Sequence, residues 1–556
     1  MSSTGNIEEP GLTVNMPAEV TVRRDLYVRQ TSGLVRTVGP RAALLANLVG
    51  MGIIVNFFWV VFASAGYPNA NLITTVGIGV LINLGVGYVY WMLASAMPRS
   101  GGDYVFLGRI FHPSIGLGTN LLFTVVFVTW AGYFAYYTAV FGIPTMLASF
   151  TVAGGSAQAL TWSNTLLTGS AFSLMGHPVT YVYLVAFAVL LVVILVSFLP
   201  TRWIFRISIG IFAVSALIYI IMMVVMLTTP QATFATDWNN ANGSGAYQTL
   251  ANSASSTSAI TLGGTFLGIV YTMLSFVGYA NSSYYGGEIR GNPIRTQGLA
   301  IFAAPLIFAG IIGALYAATY YTFGRLFLIG ASQSYVSGTF SAPALPSPLF
   351  LAAYIVHNPW LAAFLSFGLV LTFFGFSLIY FIIPTRNLFA WSFDRVLPAF
   401  LTRVSRNGVP YVAVIVLAIA SWISLYVATY TSLFSYLSYS NFGFWLAVGL
   451  VCLGGALFPF LRPQLFRKAP RIVQARVGPV PILTIVGVAS WIGSWFVSYA
   501  ASTAQFVEPP GAYNVYYLLF LPIVFVIGII GYWIAYAIQR ARGIPMDLIN
   551  KELPPD

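Results

Sequence analysis

Apolar stretches recur along this chain from Ala42 to Ala537, and a stretch of about 20 such residues is what a helix needs to cross a bilayer. Lipid offers no water to backbone polar groups, so these stretches must satisfy their own N–H and C=O groups as helices. Composition carries the same message. Of 556 residues, 58% are hydrophobic and 6% charged, with a mean hydropathy of +0.85, which excludes a soluble globular protein. No polar stretch between the apolar ones is long enough to fold separately. The chain therefore reads as one all-α integral membrane domain with short tails.

Twelve transmembrane helices are predicted, at about 42–66, 72–97, 115–142, 179–199, 204–229, 260–286, 297–322, 360–384, 410–430, 433–460, 480–503 and 514–538. Placing the N-terminus in the cytoplasm leaves every Lys and Arg except Arg325 on the cytoplasmic side, an asymmetry that a wrong span count would scramble. An even number of crossings and two cytoplasmic termini follow, in a multi-pass protein of the cell membrane. The net charge of +12 is spread between spans rather than gathered on one face, so it reports topology and not a nucleic-acid partner. Residues 1–41 form a polar tail with Arg23, Arg24, Arg29, Arg36 and Arg41 and no secretory-signal pattern, so the first span is expected to insert as its own uncleaved signal. Residues 461–479 form a basic loop with Arg462, Arg467, Lys468, Arg471 and Arg476 that fixes topology and can touch anionic headgroups. Residues 539–556 form the second cytoplasmic tail. The outer loops 143–178 and 230–259 carry Asp237 as their one ionised side chain and read as folded-over caps or flexible covers. The single cysteine, Cys452, lies in an apolar run, so no disulfide, no metal site and no cofactor is expected.

Two apolar runs are interrupted where a membrane helix should be unbroken: GMG at Gly50, Met51 and Gly52, and SFVGYANSS from Ser275 to Ser283. Non-helical backbone at that depth is tolerable where it lines a cavity or binds something, and a matched pair of broken spans points to an inverted-repeat transporter. Close helix packing is the competing reason for glycine in such runs.

Three stretches follow spans two, six and eight: MPRSGGDYVFLGR (Met97 to Arg109), FVGYANSSYYGGEIRGNPIRT (Phe276 to Thr296) and RNLFAWSFDRVLPAFLTRV (Arg386 to Val404). In that order they resemble the amino acid, polyamine and organocation transporter superfamily, most specifically at Ser100 to Tyr104 and Glu288 to Pro293. The resemblance implies a 5+5 inverted repeat over residues 42–460, with discontinuous helices 1 and 6, alternating access around a site at mid-depth, and two further C-terminal helices at 480–538. It implies that N–H groups beside Gly50, Met51 and Gly52 bind a substrate carboxylate, and that carbonyls freed around Ser275, Phe276 and Val277 accept from its ammonium group, with Gly278 permitting the break. Tyr279 and Asn281 join this substrate-binding set.

Side-chain pocket candidates are Asn56 and Trp59 on span one, Tyr133 and Tyr137 on span three, Ser377 on span eight and Asn441 on span ten; the stripe Phe123, Phe127, Trp130 and Phe134 reads as packing. Asp103, Glu288 and Arg99 are the intracellular gate candidates. The alternative for Asp103, Glu288 and Asp394 is a local pair with Arg99, Arg290 or Arg395. Relatives often carry a carboxylate two residues after the sixth-span glycine, but Ala280 stands there, so a neutral zwitterionic amino acid is favoured over a cationic one. Met51 stands where a small residue is usual. The fifth span has only Arg206, near its inner end, in place of the lysine some relatives carry, which leaves a proton open as coupling partner. His112, His177 and His357 lie at span ends, as interfacial residues.

The chain is thus expected to be a secondary or exchange transporter of amino acids, with the lipid bilayer as its other partner. A sodium-coupled symporter of another small organic solute and a non-transporting solute sensor stay open. No Walker A sequence is present to energise a pump, and no cluster of His, Asp, Glu or Cys lies at membrane depth to make an enzyme.

Overall fold

The computed structural model describes residues 38–174, 176–254, 258–431, 437–503 and 515–549. Arg23, Arg24, Arg29 and Arg36 of the N-terminal tail lie outside the described residues. Among the described residues, eleven helices are long and apolar enough to cross a membrane, and the shorter apolar helix Tyr181–Ser197 occupies the predicted fourth span. In chain order the others are Pro40–Gly66, Leu72–Ala96, Pro113–Val152, Thr201–Thr228, Leu262–Tyr284, Ile294–Phe323, Pro359–Phe393, Tyr411–Tyr430, Ser440–Leu461, Ile482–Thr503 and Leu519–Ala541. They are spans 1 to 12 below, Tyr181–Ser197 being span 4. The all-α membrane architecture stands.

Local chemistry starts these helices where the sequence changes. Pro40, Pro113 and Pro359 open spans 1, 3 and 8 at positions whose N–H would be unpaired in any case. Asn71, Thr180, Thr261 and Asn358 accept a hydrogen bond from a first-turn N–H of spans 2, 4, 6 and 8. Small residues then let the spans approach. A Cβ on Gly132 would lie 2.6 Å from the Ser421 carbonyl oxygen of span 9, and one on Gly118 would lie 2.8 Å from the Phe525 carbonyl oxygen of span 12.

Two spans run further than the sequence suggests. Span 3 passes through a π-helical turn at Thr138–Gly142 and continues as Ile143–Val152. Span 8 continues past Pro384 to Phe393, so Arg386 sits on the helix itself. Its side chain stays at that depth because a carboxylate meets it there, as described below.

The outer loops are folded caps. Residues 143–178 contain the helix Gln158–Thr168 and part of an antiparallel hairpin, Ser170–Leu174 with His177–Thr180. Residues 230–259 contain Gln231–Asn242 and Ala246–Ser253, whose Phe234, Trp238 and Tyr247 pack on Phe327 of the helix Arg325–Val336. Arg325, the lone basic residue predicted outside, donates to the carbonyls of Pro68 and Ser258 and ties this cap to the span 1–2 connection.

Candidate solute site and inner seal

Span 1 is broken where the glycines are. The helix Pro40–Met51 stops at Gly52, whose φ of 72° and ψ of 96° lie outside the helical region, and a second helix begins at Asn56. Positive φ favours glycine here. The Asn56 amide turns back to donate to the Gly52 carbonyl at 3.2 Å, and the Tyr380 hydroxyl of span 8 donates to the Gly50 carbonyl at 3.0 Å. Carbonyls released by the break thus find side-chain donors.

Span 6 departs from expectation. Instead of unwinding around Ser275, Phe276 and Val277 and resuming as α-helix, Leu262–Ser275 tightens into the 3₁₀ segment Val277–Tyr284, followed by Gly286–Glu288. Phe276 is the junction, and its carbonyl accepts from the Tyr279 N–H at 3.3 Å. The poorer geometry of a long 3₁₀ run needs outside support. Asn47 of span 1 supplies it: its Nδ2 donates to the carbonyls of Tyr279 at 2.6 Å and Ala300 at 2.9 Å, and its Oδ1 accepts from the Ser282 N–H at 2.9 Å. Gln297 of span 7 donates from Nε2 to the Ser282 carbonyl at 3.2 Å. Neither Asn47 nor Gln297 was among the sequence candidates. A lone Asn three residues before Gly50 in an apolar run was the available signal.

The two irregular stretches meet main chain to main chain. A Cβ on Gly278 would strike the Gly50 carbonyl, one on Gly50 would strike the Asn281 amide, and one on Gly52 would strike the Phe376 ring. Met51, Val277, Ser275 and Phe276 are all buried around this crossing. Asn56 Oδ1 and Asn281 Nδ2 at this crossing are buried with no hydrogen-bond partner, as are the Tyr279 hydroxyl on the side of Tyr90 and Asp103 and both amide atoms of Asn441 on span 10. Beside the break lies a cavity of about 250 Å³, its open mouth included, lined by Val49, Gly52, Phe212, Ser215, Thr372 and Gly375 among others.

Other pocket candidates are committed to neighbours. The Ser377 hydroxyl donates to the Ala131 carbonyl at 2.7 Å, and Tyr133 donates to the Tyr137 hydroxyl at 2.8 Å. The space between spans 1, 3 and 8 is filled by rings. Phe127 stacks on Tyr380 with centroids 5.4 Å apart, Trp130 meets Tyr380 at 5.0 Å, and Phe134 meets Phe376 at 4.9 Å. Phe123 continues this packing against Phe444. Further toward the outer side, Phe58 packs edge-on against Phe141 and Phe373, with Trp59 buried alongside.

Buried charge among the described residues lies at the opposite end, the one predicted to face the cytoplasm. Five ionisable Asp, Glu or Arg side chains are buried among the described residues: Asp103, Arg109, Glu288, Arg386 and Asp394. Arg386 Nε meets Glu288 Oε1 at 3.0 Å, while its other nitrogens donate to Thr385 and Thr201 and its guanidinium lies over the Tyr285 ring. Arg109 Nη1 meets Asp394 Oδ2 at 2.7 Å, and the Tyr104 hydroxyl donates to the same carboxylate. The local pairs with Arg290 and Arg395 weighed from the sequence are replaced by these long-range ones. Arg99 joins neither pair and donates to the Pro98 carbonyl.

Glycine again shapes the contact. Gly101 and Gly102 turn with φ of 104° and 47°, and their Cβ positions would crowd Ala390 and the Tyr284 ring. Gly286 and Gly287 abut Arg99 and Ser100 in return, and Gly287 N–H donates to the Ser100 hydroxyl at 3.3 Å. Val38 completes the seal by pairing its main chain with Ile289 through the Glu288 carbonyl and the Arg290 N–H.

Asp103 stands apart. It is fully buried, accepts from Asn120 Nδ2 at 2.9 Å, and has no arginine in ion-pair contact among the described residues. Asn120 is held in turn by Trp391, whose indole N–H donates to Asn120 Oδ1 at 2.7 Å. Burial pushes the Asp103 carboxyl up to about 6, against the opposing pull of Asn120, Tyr284 and its own backbone N–H.

A family model described as amino acid permease matches residues 42–530. Among curated proteins, Uncharacterized protein 399 of Sulfolobus islandicus rod-shaped virus 1 is 28% identical over 83 residues, 15% of this chain. The match spans 21% of that protein's length.

Proposed function

The chain belongs to the amino acid permease family, and from that premise we propose that it carries neutral, zwitterionic amino acids across the membrane by alternating access. One observation carries the substrate class. The break at Gly52 lies against Gly278 at a depth where no ionised side chain is found among the described residues, so recognition falls to main chain and neutral side chains. The positive dipole end of the outer half-helix, which begins at Asn56, suits a carboxylate, which would compete with the Ile54 and Val55 carbonyls for the Phe57 and Phe58 N–H groups. The unpartnered Asn281 Nδ2 and Asn56 Oδ1 supply neutral polar atoms at the same crossing. Buried polar atoms left unpaired are costly, and a polar solute would satisfy them.

The conformation described here is closed on both sides. Aromatic rings from spans 1, 3 and 8 occupy the outer approach, and the Arg386–Glu288 and Arg109–Asp394 pairs join span 8 to the inner end of span 6 and to the helix Asp103–Ile110 between spans 2 and 3. In the proposed cycle Phe376 and Tyr380 leave the Gly50–Gly52 break to admit the solute, and the two ion pairs part to release it. The charge asymmetry of the loops supports an orientation with both termini in the cytoplasm, so the ion-paired end is the inner one.

A competition screen of the amino acids in proteoliposomes, repeated with and without a proton gradient and with and without sodium, tests the reading. Neutral amino acids should compete and arginine or lysine should not. Binding of a solute with no exchange across the membrane would establish a sensor instead, and sodium-dependent uptake would assign the coupling ion.

A further inference from the structure

We propose that Asp103 is a proton-binding site of the inner seal: closing that end encloses this carboxylate without a cation, and the closed form takes up a proton from the cytoplasm to neutralise it. The argument begins with a count of charge. Three carboxylates and two guanidinium groups are buried in the seal among the described residues, and each arginine is already paired with a different carboxylate. Asp103 is left over. An isolated carboxylate removed from water sheds its charge by protonation before it bears the cost of burial.

The surroundings favour that outcome from every side. Facing Asp103 are Tyr90 of span 2 and Tyr279 and Tyr284 of span 6, with the Cys452 thiol of span 10 near Tyr279; all are neutral acids that add no positive charge. Span 3 presents the neutral amide of Asn120, and span 8 presents Trp391 behind it. The one guanidinium on its own helix, Arg109, is engaged by Asp394. Asp103 opens the helix Asp103–Ile110, whose first-turn N–H groups favour the ionised form, yet its Oδ1 accepts no well-formed hydrogen bond and burial outweighs those donors.

The sign of the pH dependence follows. A carboxyl raised from its ordinary value near 4 to about 6 in the closed form stabilises closure fully below the ordinary value and ceases to do so as pH rises through about 6. Acidification across that window tightens the seal, by about five- to sixfold per pH unit. Asp103 thereby acts as an acid-sensing latch. This meaning within the cycle rests on the transport reading above, whereas protonation of the closed form rests on geometry alone.

The test is an infrared pH titration of the purified protein in lipid, with no solute added. A protonated-carboxyl band should grow as pH falls through about 6 and be missing from Asp103→Asn. Asn120→Leu removes a donor that favours the carboxylate and should move the midpoint to higher pH, which keeps the test decisive if Asp103→Asn does not fold. A spectrum with no Asp103 contribution, or a midpoint near 4 unmoved by Asn120→Leu, overturns the proposal. In proteoliposomes with both faces at the same pH, leucine exchange should slow about fivefold between pH 6 and 5 in the wild type and lose that dependence in Asp103→Asn. Failure to exchange leucine at any pH would count against the transporter reading, with the infrared midpoint still deciding the proton site.

Discussion

The Gly50–Gly278 crossing and the ion-paired seal, at the end proposed to face the cytoplasm, would close the proposed transport path by opposite means. At mid-depth the closure is built from main chain, glycine and rings: Gly278 against Gly50, Phe376 against Gly52, and the Tyr380 hydroxyl on the Gly50 carbonyl. At the inner end it is built from Arg386 on Glu288 and Arg109 on Asp394. Ionised groups are far more costly at the bilayer centre than near its surface, where water is close whenever the end opens. The depth of each closure therefore dictates its chemistry. Neutral contacts can rearrange around a solute without exposing bare charge to lipid, whereas ion pairs make a latch whose separated halves are hydrated on the side to which they open.

That contrast can be broken experimentally, beginning with its strongest element. Gly278→Leu should abolish uptake while leaving membrane insertion intact, since its side chain would occupy the Gly50 main chain, which has nowhere to move. Normal uptake with normal surface expression would remove the crossing from the mechanism. Arg386→Met should cost roughly 3–5 kcal/mol of thermal stability by leaving Glu288 buried without its partner. Adding Glu288→Gln should return most of that loss, and a double variant no more stable than the single one would show that the pair contributes nothing specific. Glu288→Gln alone should change transport rate more than substrate preference, because the residue lies in the seal and away from the crossing; a switch in the preferred amino acid would contradict this. The smallest effect belongs to Tyr380→Phe. Loss of one hydrogen bond to the Gly50 carbonyl amounts to about 1 kcal/mol, to be read as a modest change in the apparent affinity for solute.

The contrast also governs what could be read without coordinates. Glycine in an apolar run is conspicuous, so the break at Gly50–Gly52 and the irregularity at Gly278 were legible. The long apolar runs gave the number and order of spans. Partners in the seal were not legible, because Glu288 and Arg386 are 98 positions apart and the nearest arginine in sequence, Arg290, is a more obvious partner on paper. A charge pattern records which residues must be neutralised and says little about which neighbour does it. The pocket candidates illustrate a related point. Ser377, Tyr133 and Tyr137 have the right polarity and depth, yet their hydroxyls are engaged within the bundle, and polarity alone does not reveal whether a group is already satisfied. The long 3₁₀ course of span 6 was hidden too. It depends on Asn47, a residue 235 positions from the Ser282 it supports.

Val38 sits just ahead of span 1 and exchanges two main-chain hydrogen bonds with the strand leaving span 6, at 3.0 and 2.9 Å. Together with the contact of Gly278 on Gly50, this joins the lower arm of span 1 to the 3₁₀ end of span 6 at two heights, so sliding one past the other must break both contacts. A tug on the polypeptide just upstream of Val38 is then transmitted straight to Glu288, and anything that grasps the amino-terminal tail holds a mechanical grip on the latch.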